Sequence, residues 1–228
     1  MRFEPVFFDI ETTGLNPLAQ KWWDNTKHDG QVICVGVGVL EDWRGRKSDA
    51  EMHTKVFSNP DEYALMDSIG DDVVNWVEES LGVPIPVPGT DSWDEQVQPF
   101  FVGWNNRSFD HPYMGARFAR LRKEGYPFTH GWKRLDAMNA IQSKTGRIWS
   151  QDDWMEEVGV RHEDDITGAD VPDMFDSGHI DKIRNHCYTD IQDLQQIFLE
   201  DRDAMMQEFY DHYNVPADPD FTEEVELK

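Results

Sequence analysis

An aspartate and a glutamate two residues apart stand in the apolar run Val6-Phe7-Phe8-Asp9-Ile10-Glu11-Thr12-Thr13-Gly14. Such a run reads as a buried strand, and side chains at i and i+2 of a strand leave from the same face. Asp9 and Glu11 therefore point together. Two carboxylates side by side in an apolar setting repel, and burying them unpaired costs several kcal/mol per ion. The pair predicts a cation between them, and a divalent metal is the economical one. Other acids could complete the set. Asp110 stands where the run Gly103-Trp104-Asn105-Asn106-Arg107-Ser108-Phe109 gives way to a helix. A carboxylate there either caps the helix or turns back toward the sheet edge. His186 and Asp190 lie four apart in a helical stretch and share a face, as ordinary surface neighbours also do.

Positioning these groups requires a particular set of elements. Residues 3–10 read as a first strand, followed by a loop over 11–29. Residues 31–40, with Val32-Ile33-Cys34-Val35 and the small Gly36 and Gly38, read as a second strand, and residues 51–57 as a third. The short connections predict an antiparallel meander. Asn59-Pro60-Asp61-Glu62 opens a helix with Leu65, Ile69, Val73, Val74 and Val77 at helical spacing up to Gly82. The Pro-rich and acidic segment 84–99 reads as a loop insertion, either a lid or plain surface. A buried strand resumes at residues 100–104, and residues 109–123 continue as a helix. Lys133-Arg134-Leu135-Asp136 is a short strand or turn, and residues 150–159 form a helix with Ser150 as N-cap. Residues 179–185 read as a short helix and 187–213 as a long one, with Ile191, Leu194, Ile197 and Phe198 on one face. Strands followed by alternating helices and strands predict a single α/β domain with a mixed sheet flanked by helices, spanning 1–213. The acidic tail, 214–228, reads as flexible.

Composition narrows the class. The chain has 228 residues, enough for one domain with a sizeable core. No apolar run reaches the ~20 residues that span a bilayer, and the start carries no signal-peptide pattern. A soluble, cytoplasmic protein without a membrane partner is expected. Cys34 and Cys187 read as buried free thiols in a reducing interior. Lys and Arg total 21 against 45 Asp and Glu, a formal charge of −24. That balance repels nucleic acid, whose phosphates call for clustered cations. A solvated acidic surface that confers solubility accounts for it. Adaptation to high salt accounts for it too, since the screening length falls to about 3 Å at molar salt. Asp in excess of Glu and Arg in excess of Lys agree with that second account, which would suit a halophile or a virus of one.

Taken together, the acids form a recognisable order. Asp9-x-Glu11, then an Asn-x-x-x-Phe-Asp turn, then His186-x-x-x-Asp190 on a helix resembles the DEDD superfamily of 3′-to-5′ exonucleases. Residues 8–14 are similar to its first motif and 103–110 to its second. Ile183-Arg184-Asn185-His186-Cys187-Tyr188-Thr189-Asp190-Ile191 is similar to the third motif of the branch related to the proofreading domain of family B DNA polymerases. The segment 165–171 resembles that branch as well. In the tyrosine subclass a tyrosine stands four residues before the last Asp, and in the histidine subclass a histidine stands five before; here His186 stands at four. The resemblance implies a ribonuclease H-like fold and two divalent ions, Mg or Mn, held by Asp9, Glu11, Asp110 and Asp190. It also implies release of nucleoside monophosphates from a 3′ end, with His186 as proton acceptor or as orienter of the attacking water. Thr12, Thr13 and Leu15 correspond to contacts with the terminal nucleotide, and Asn105 to a group positioning the strand. Single-stranded DNA is the favoured partner, with RNA as the rival. A catalytically weak nucleic-acid-binding module and a structure-selective endonuclease are the alternatives of other kinds.

Several residues near these motifs admit two uses. Trp22, Trp23, Trp104 and Phe109 stack bases or fill the core. Arg107 with Arg117, Arg120, Arg122 and Lys123 either tracks phosphates or balances nearby acids on a solvated helix face. Asp136 is expected to serve structural hydrogen bonds.

Overall fold

The computed structural model describes residues 2–14, 30–82, 84, 97–121, 132–161 and 165–216. Leu15, Trp22, Trp23, Arg122, Lys123, nearly all of the 84–96 stretch and the tail beyond 216 lie outside the described residues. Five strands form one sheet in the order β3-β2-β1-β4-β5: β1 Arg2–Thr12, β2 Val32–Glu41, β3 Glu51–Ser58, β4 Val97–Gly103 and β5 Lys133–Asp136. The first three form the expected antiparallel meander, and β4 and β5 pair in parallel with what precedes them, so the sheet is mixed. β1 runs on through Glu11 and Thr12 where a loop is expected, and β4 begins three residues early, at Val97.

Seven α-helices appear among the described residues. They are α1 Glu62–Leu81, α2 Asp110–Arg120, α3 Ala137–Thr145, α4 Gln151–Val158, α5 Val171–Asp176, α6 Ile180–Glu200 and α7 Arg202–Tyr213. Asp61 caps α1 by accepting from Tyr63 N, and Ser150 caps α4 by accepting from Asp153 N. The central strands are buried on both sides. Phe7 faces a core shared with α3, α4, α6 and α7, while Phe8 faces another shared with α1 and α2. This double burial explains the nearly continuous apolar runs of β1 and β2.

The expected helix pair 179–185 and 187–213 breaks elsewhere. α6 passes unbroken through His186, and the interruption falls at Asp201. The Asp201 carboxylate is buried and accepts from Trp154 Nε1 at 2.7 Å and from Lys144 Nζ. An acid held by two fixed donors on α3 and α4 sets the corner. Arg117 departs from expectation too. It is buried against Glu62, donating from Nε to Oε1 at 2.7 Å and from Nη2 to Oε2, so it locks α2 to α1 instead of facing solvent.

Gly36 and Gly38 seat α6. They lie across the β1–β2 ladder from Asp9 and Phe7, on the face that α6 covers. A Cβ on Gly36 would come 2.7 Å from Ile191 Cγ1 and 2.8 Å from Cys187 Sγ, and one on Gly38 2.6 Å from Ile191 Cγ2. Gln195 of α6 adds a donor, from Nε2 to Val39 O at 2.8 Å. Gly38→Ala is therefore expected to destabilise the chain by about 1–3 kcal/mol through overpacking, lowering Tm by roughly 3–10 °C. Gly45→Ala, whose Cβ would meet only Asp42 O at 3.6 Å, should leave the melting curve within about 0.5 kcal/mol of the parent.

Candidate active site

Three elements bring the acids together. β1 supplies Asp9 and Glu11 from the face covered by α6. The antiparallel register shifts between Glu11 and Thr12, and there Thr13 closes the ladder: its N donates to Gln31 O at 2.9 Å and its Oγ1 accepts from Gln31 N at 2.8 Å. Because β4 runs parallel to β1, its carboxyl end delivers α2 beside the carboxyl end of β1, and Asp110 is the first residue of that helix. The turn between them is built for this delivery. Asn105 takes a left-handed φ of 57°, and the Asp136 carboxylate accepts from the N–H groups of Asn105 at 3.2 Å, Arg107 at 3.3 Å and Asn139 at 3.3 Å. Asp136 thus serves structural hydrogen bonds, as expected, and caps α3, a helix the sequence reading had not resolved.

α6 brings His186 and Asp190. His186 is buried, with Nε2 at 3.6 Å from both Glu11 Oε1 and Asp190 Oδ2. Next to it, Cys187 lies with Sγ at 3.9 Å from Asp9 Oδ2. Ligand atoms of Asp9, Glu11 and Cys187 lie within 4.8 Å of one another, and so do those of Glu11, His186 and Asp190. The two sets share Glu11. Asp110 belongs to neither set, yet it is close enough to join the cluster electrostatically, its charge acting on both Asp9 and Glu11.

The electrostatics match the crowding. Burial, followed by the charge of Asp110, raises the Asp9 carboxyl well above the usual carboxylate range. Burial, then Asp9, Cys34, Asp190 and Asp110, does the same for Glu11. Asp110 is pushed up to about 7, mainly by burial, against the opposing N–H donors of its own backbone and Ile10. The Cys187 thiol is raised by its hydrogen bond with Cys34 and by burial. Like charges in a dry site resist ionising together, and a cation among them reverses that resistance. The donors are predominantly carboxylate oxygens, which fits hard divalent cations.

The cluster opens into a cleft of about 200 Å³ lined by Asp9, Glu11, Thr12, Phe109, His186 and Asp190, together with Gln151 and Asp152 of α4 and residues 166–168. Gln151 Nε2 donates to the Asp190 carbonyl at 3.2 Å. Gln151 and Asp152 escaped the sequence reading, because nothing local links the start of α4 to the acid motifs. Residues 166–168 fall in the segment whose resemblance had been noted. Thr13, Asn105 and Arg107 stand outside this lining: Arg107 donates from Nη2 to Arg134 O at 2.6 Å, and Trp104 packs on the core.

No protein-family model and no curated protein matches this chain. Among solved structures, the family B DNA polymerase from the hyperthermophilic archaeon Pyrobaculum calidifontis aligns over 86% of it at 16% identity, with a TM-score of 0.51. The domain has the ribonuclease H-like fold. Exonuclease I aligns over 83% of the chain at 14% identity and a TM-score of 0.42, and E. coli exonuclease I in complex with a dT13 oligonucleotide over 93% at 11% and 0.45. The chain spans 24% of the polymerase and 43% of the exonuclease I chains. In a sheet of this topology the carboxyl ends of β1 and β4 form the expected place for a ligand, and the acids occupy that place.

A cation held by the cluster should appear in stability before it appears in activity. Mn at about 100 times its dissociation constant is expected to add ~2.7 kcal/mol, raising Tm by roughly 5–10 °C. Asp110→Asn should remove most of that rise while melting no lower than the metal-free parent, because it relieves repulsion; differential scanning fluorimetry with and without EDTA measures both.

Proposed function

We propose that this domain, over residues 1–213, is a DEDD-type 3′-to-5′ exonuclease that hydrolyses the terminal phosphodiester of single-stranded DNA and releases nucleoside monophosphates. The observation that carries the reading is the convergence of Asp9, Glu11, Asp110 and Asp190 from three elements, with His186 Nε2 equidistant from Glu11 and Asp190. The ribonuclease H-like fold and the cleft above the acids support it.

Asp9, Glu11, Asp110 and Asp190 would hold two divalent cations, Mg or Mn. Such ions supply acidification of the attacking water and neutralisation of charge on the phosphate and the leaving 3′ oxygen. The chain's own residues do the rest. His186 faces the water's position between two carboxylates, which stabilise an imidazolium once Nε2 has taken the proton. Burial of the imidazole fixes its orientation. Thr12 and Phe109 form cleft walls on the β1 and α2 sides, where the ring of Phe109 offers a stacking face to an unpaired terminal base. Thr13 acts at one remove, by closing the end of the β1–β2 ladder next to Thr12. Asn105 and Arg107 hold the turn that aims Asp110.

3′-labelled DNA and RNA oligonucleotides incubated with Mn, and with EDTA, test the proposal. Mononucleotide release from DNA, abolished by EDTA and reduced at least 100-fold by Asp190→Ala, is the expected outcome. Preferential attack on RNA would reassign the substrate, and cleavage of circular single strands would make the enzyme an endonuclease. His186→Tyr retaining substantial activity while His186→Phe does not would favour orientation of water over proton transfer.

A further inference from the structure

Resting on that reading, we infer that the loop between α3 and α4, Arg147-Ile148-Trp149, is the docking ledge for the single strand upstream of its 3′ end. Arg147 differs from the basic residues that brace one element to another through a carboxylate. Arg44 is paired with Glu4 and Arg117 with Glu62, and the lysine just before the loop, Lys144, with Asp201. Among the described residues no carboxylate pairs with Arg147; its guanidinium lies over the Trp149 ring, 3.9 Å from the centroid. In a chain of 45 acids and 21 bases, a cation with no carboxylate partner among the described residues, set over an indole, is suited to phosphate and base faces together. Ile148 stands beside it at 64% exposure, the highest among the large hydrophobic side chains described.

The loop is held ready. Thr145 Oγ1 accepts from Arg147 N at 3.3 Å and from Trp149 Nε1 at 3.1 Å, and Trp149 packs edge-on against the buried Trp154 at 5.2 Å between centroids. The loop leads directly into the cleft wall along the chain. Gln151 and Asp152 line the cleft wall, and the three-residue step from Ile148 to Gln151 spans at most about 11 Å. A strand with its 3′ end at the acids and its body leaving past the start of α4 meets this ledge within two or three nucleotides, at ~3.4 Å per phosphate along a stacked strand. Arg147 would take a phosphate, while Ile148 and the guanidinium–indole stack would support bases without reading their identity.

Two substrates separate this role from the chemistry. The p-nitrophenyl ester of thymidine 5′-monophosphate needs only the acids, whereas a 15-residue oligothymidylate needs the ledge as well. Arg147→Glu is expected to raise KM for the oligonucleotide about 5- to 10-fold and to reduce the salt slope of its binding by about 0.7. kcat on the oligonucleotide and turnover of the small ester should stay within about twofold of the parent. Ile148→Ser should raise the oligonucleotide KM about threefold, and Arg147→Lys should lie between Arg147→Glu and the parent. Equal losses on both substrates, or no change on the oligonucleotide with an unaltered melting curve, would overturn the ledge while leaving the exonuclease standing. A parent chain that turns over neither substrate would overturn the exonuclease reading itself, and the ledge with it.

Discussion

The close approach of α6 to β2 is the constraint on which the rest of the structure depends. Two residues without side chains, Gly36 and Gly38, leave the space into which Ile191 and Cys187 settle. On the same face of the sheet stand Asp9 and Glu11, so the depth at which α6 rests fixes the separation of its own His186 and Asp190 from the acids of β1. Packing and chemistry are therefore one variable in this protein. Overpacking a core is normally a matter of stability alone; here it also sets the 3.6 Å spacing between His186 and its two carboxylate neighbours.

Once the helix is seated, the carboxylates pay a conformational and electrostatic cost that the fold does not relieve by itself. Asp9, Glu11 and Asp110 are all pushed toward their protonated forms by burial first, and then by neighbouring charge: Asp110 acts on Asp9, Asp9 foremost on Glu11, and Asp136 on Asp110. Structural acids elsewhere in the chain are treated differently. Glu62 meets Arg117, and Asp201 meets Lys144 and the Trp154 indole. The contrast between paired structural acids and a buried cluster whose charges reinforce one another separates the site from the framework.

Much of this was legible in the sequence because the critical residues carry local signatures. The period-two spacing of Asp9 and Glu11, the i,i+4 spacing of His186 and Asp190, and the cap at Ser150 are short-range features, and each has its expected structural counterpart. Long-range partnerships were not legible. Arg117 read as a surface cation because its partner Glu62 is 55 residues away. The α6–α7 corner was misplaced because Asp201 is held by residues of α3 and α4, and an apolar stripe with 3.6-residue period continues across the break. α3 does not stand out in the sequence although Asp136 and Gly146 bracket it with an N-cap and a left-handed C-cap, because its nine residues carry only a short apolar face, Ala137, Ala140 and Ile141. Gln151 and Asp152 enter the cleft only through the tertiary placement of α4.

That placement has a mechanical side. α4 is tethered to the end of α6 by Trp154, which donates to Asp201, and to its middle by Gln151, which donates to the carbonyl of Asp190. A short helix tied at both its first turn and its centre to one long helix cannot swing independently of it. The α4 wall, His186 and Asp190 consequently travel as one jaw. Facing it is the carboxyl end of the central strand β1 with α2, itself braced to α1 by the Arg117–Glu62 pair. Tilting α4 alone away from the acids would break both the Gln151 and the Trp154 hydrogen bonds, so the cleft wall is as rigid as the helix that carries His186 and Asp190.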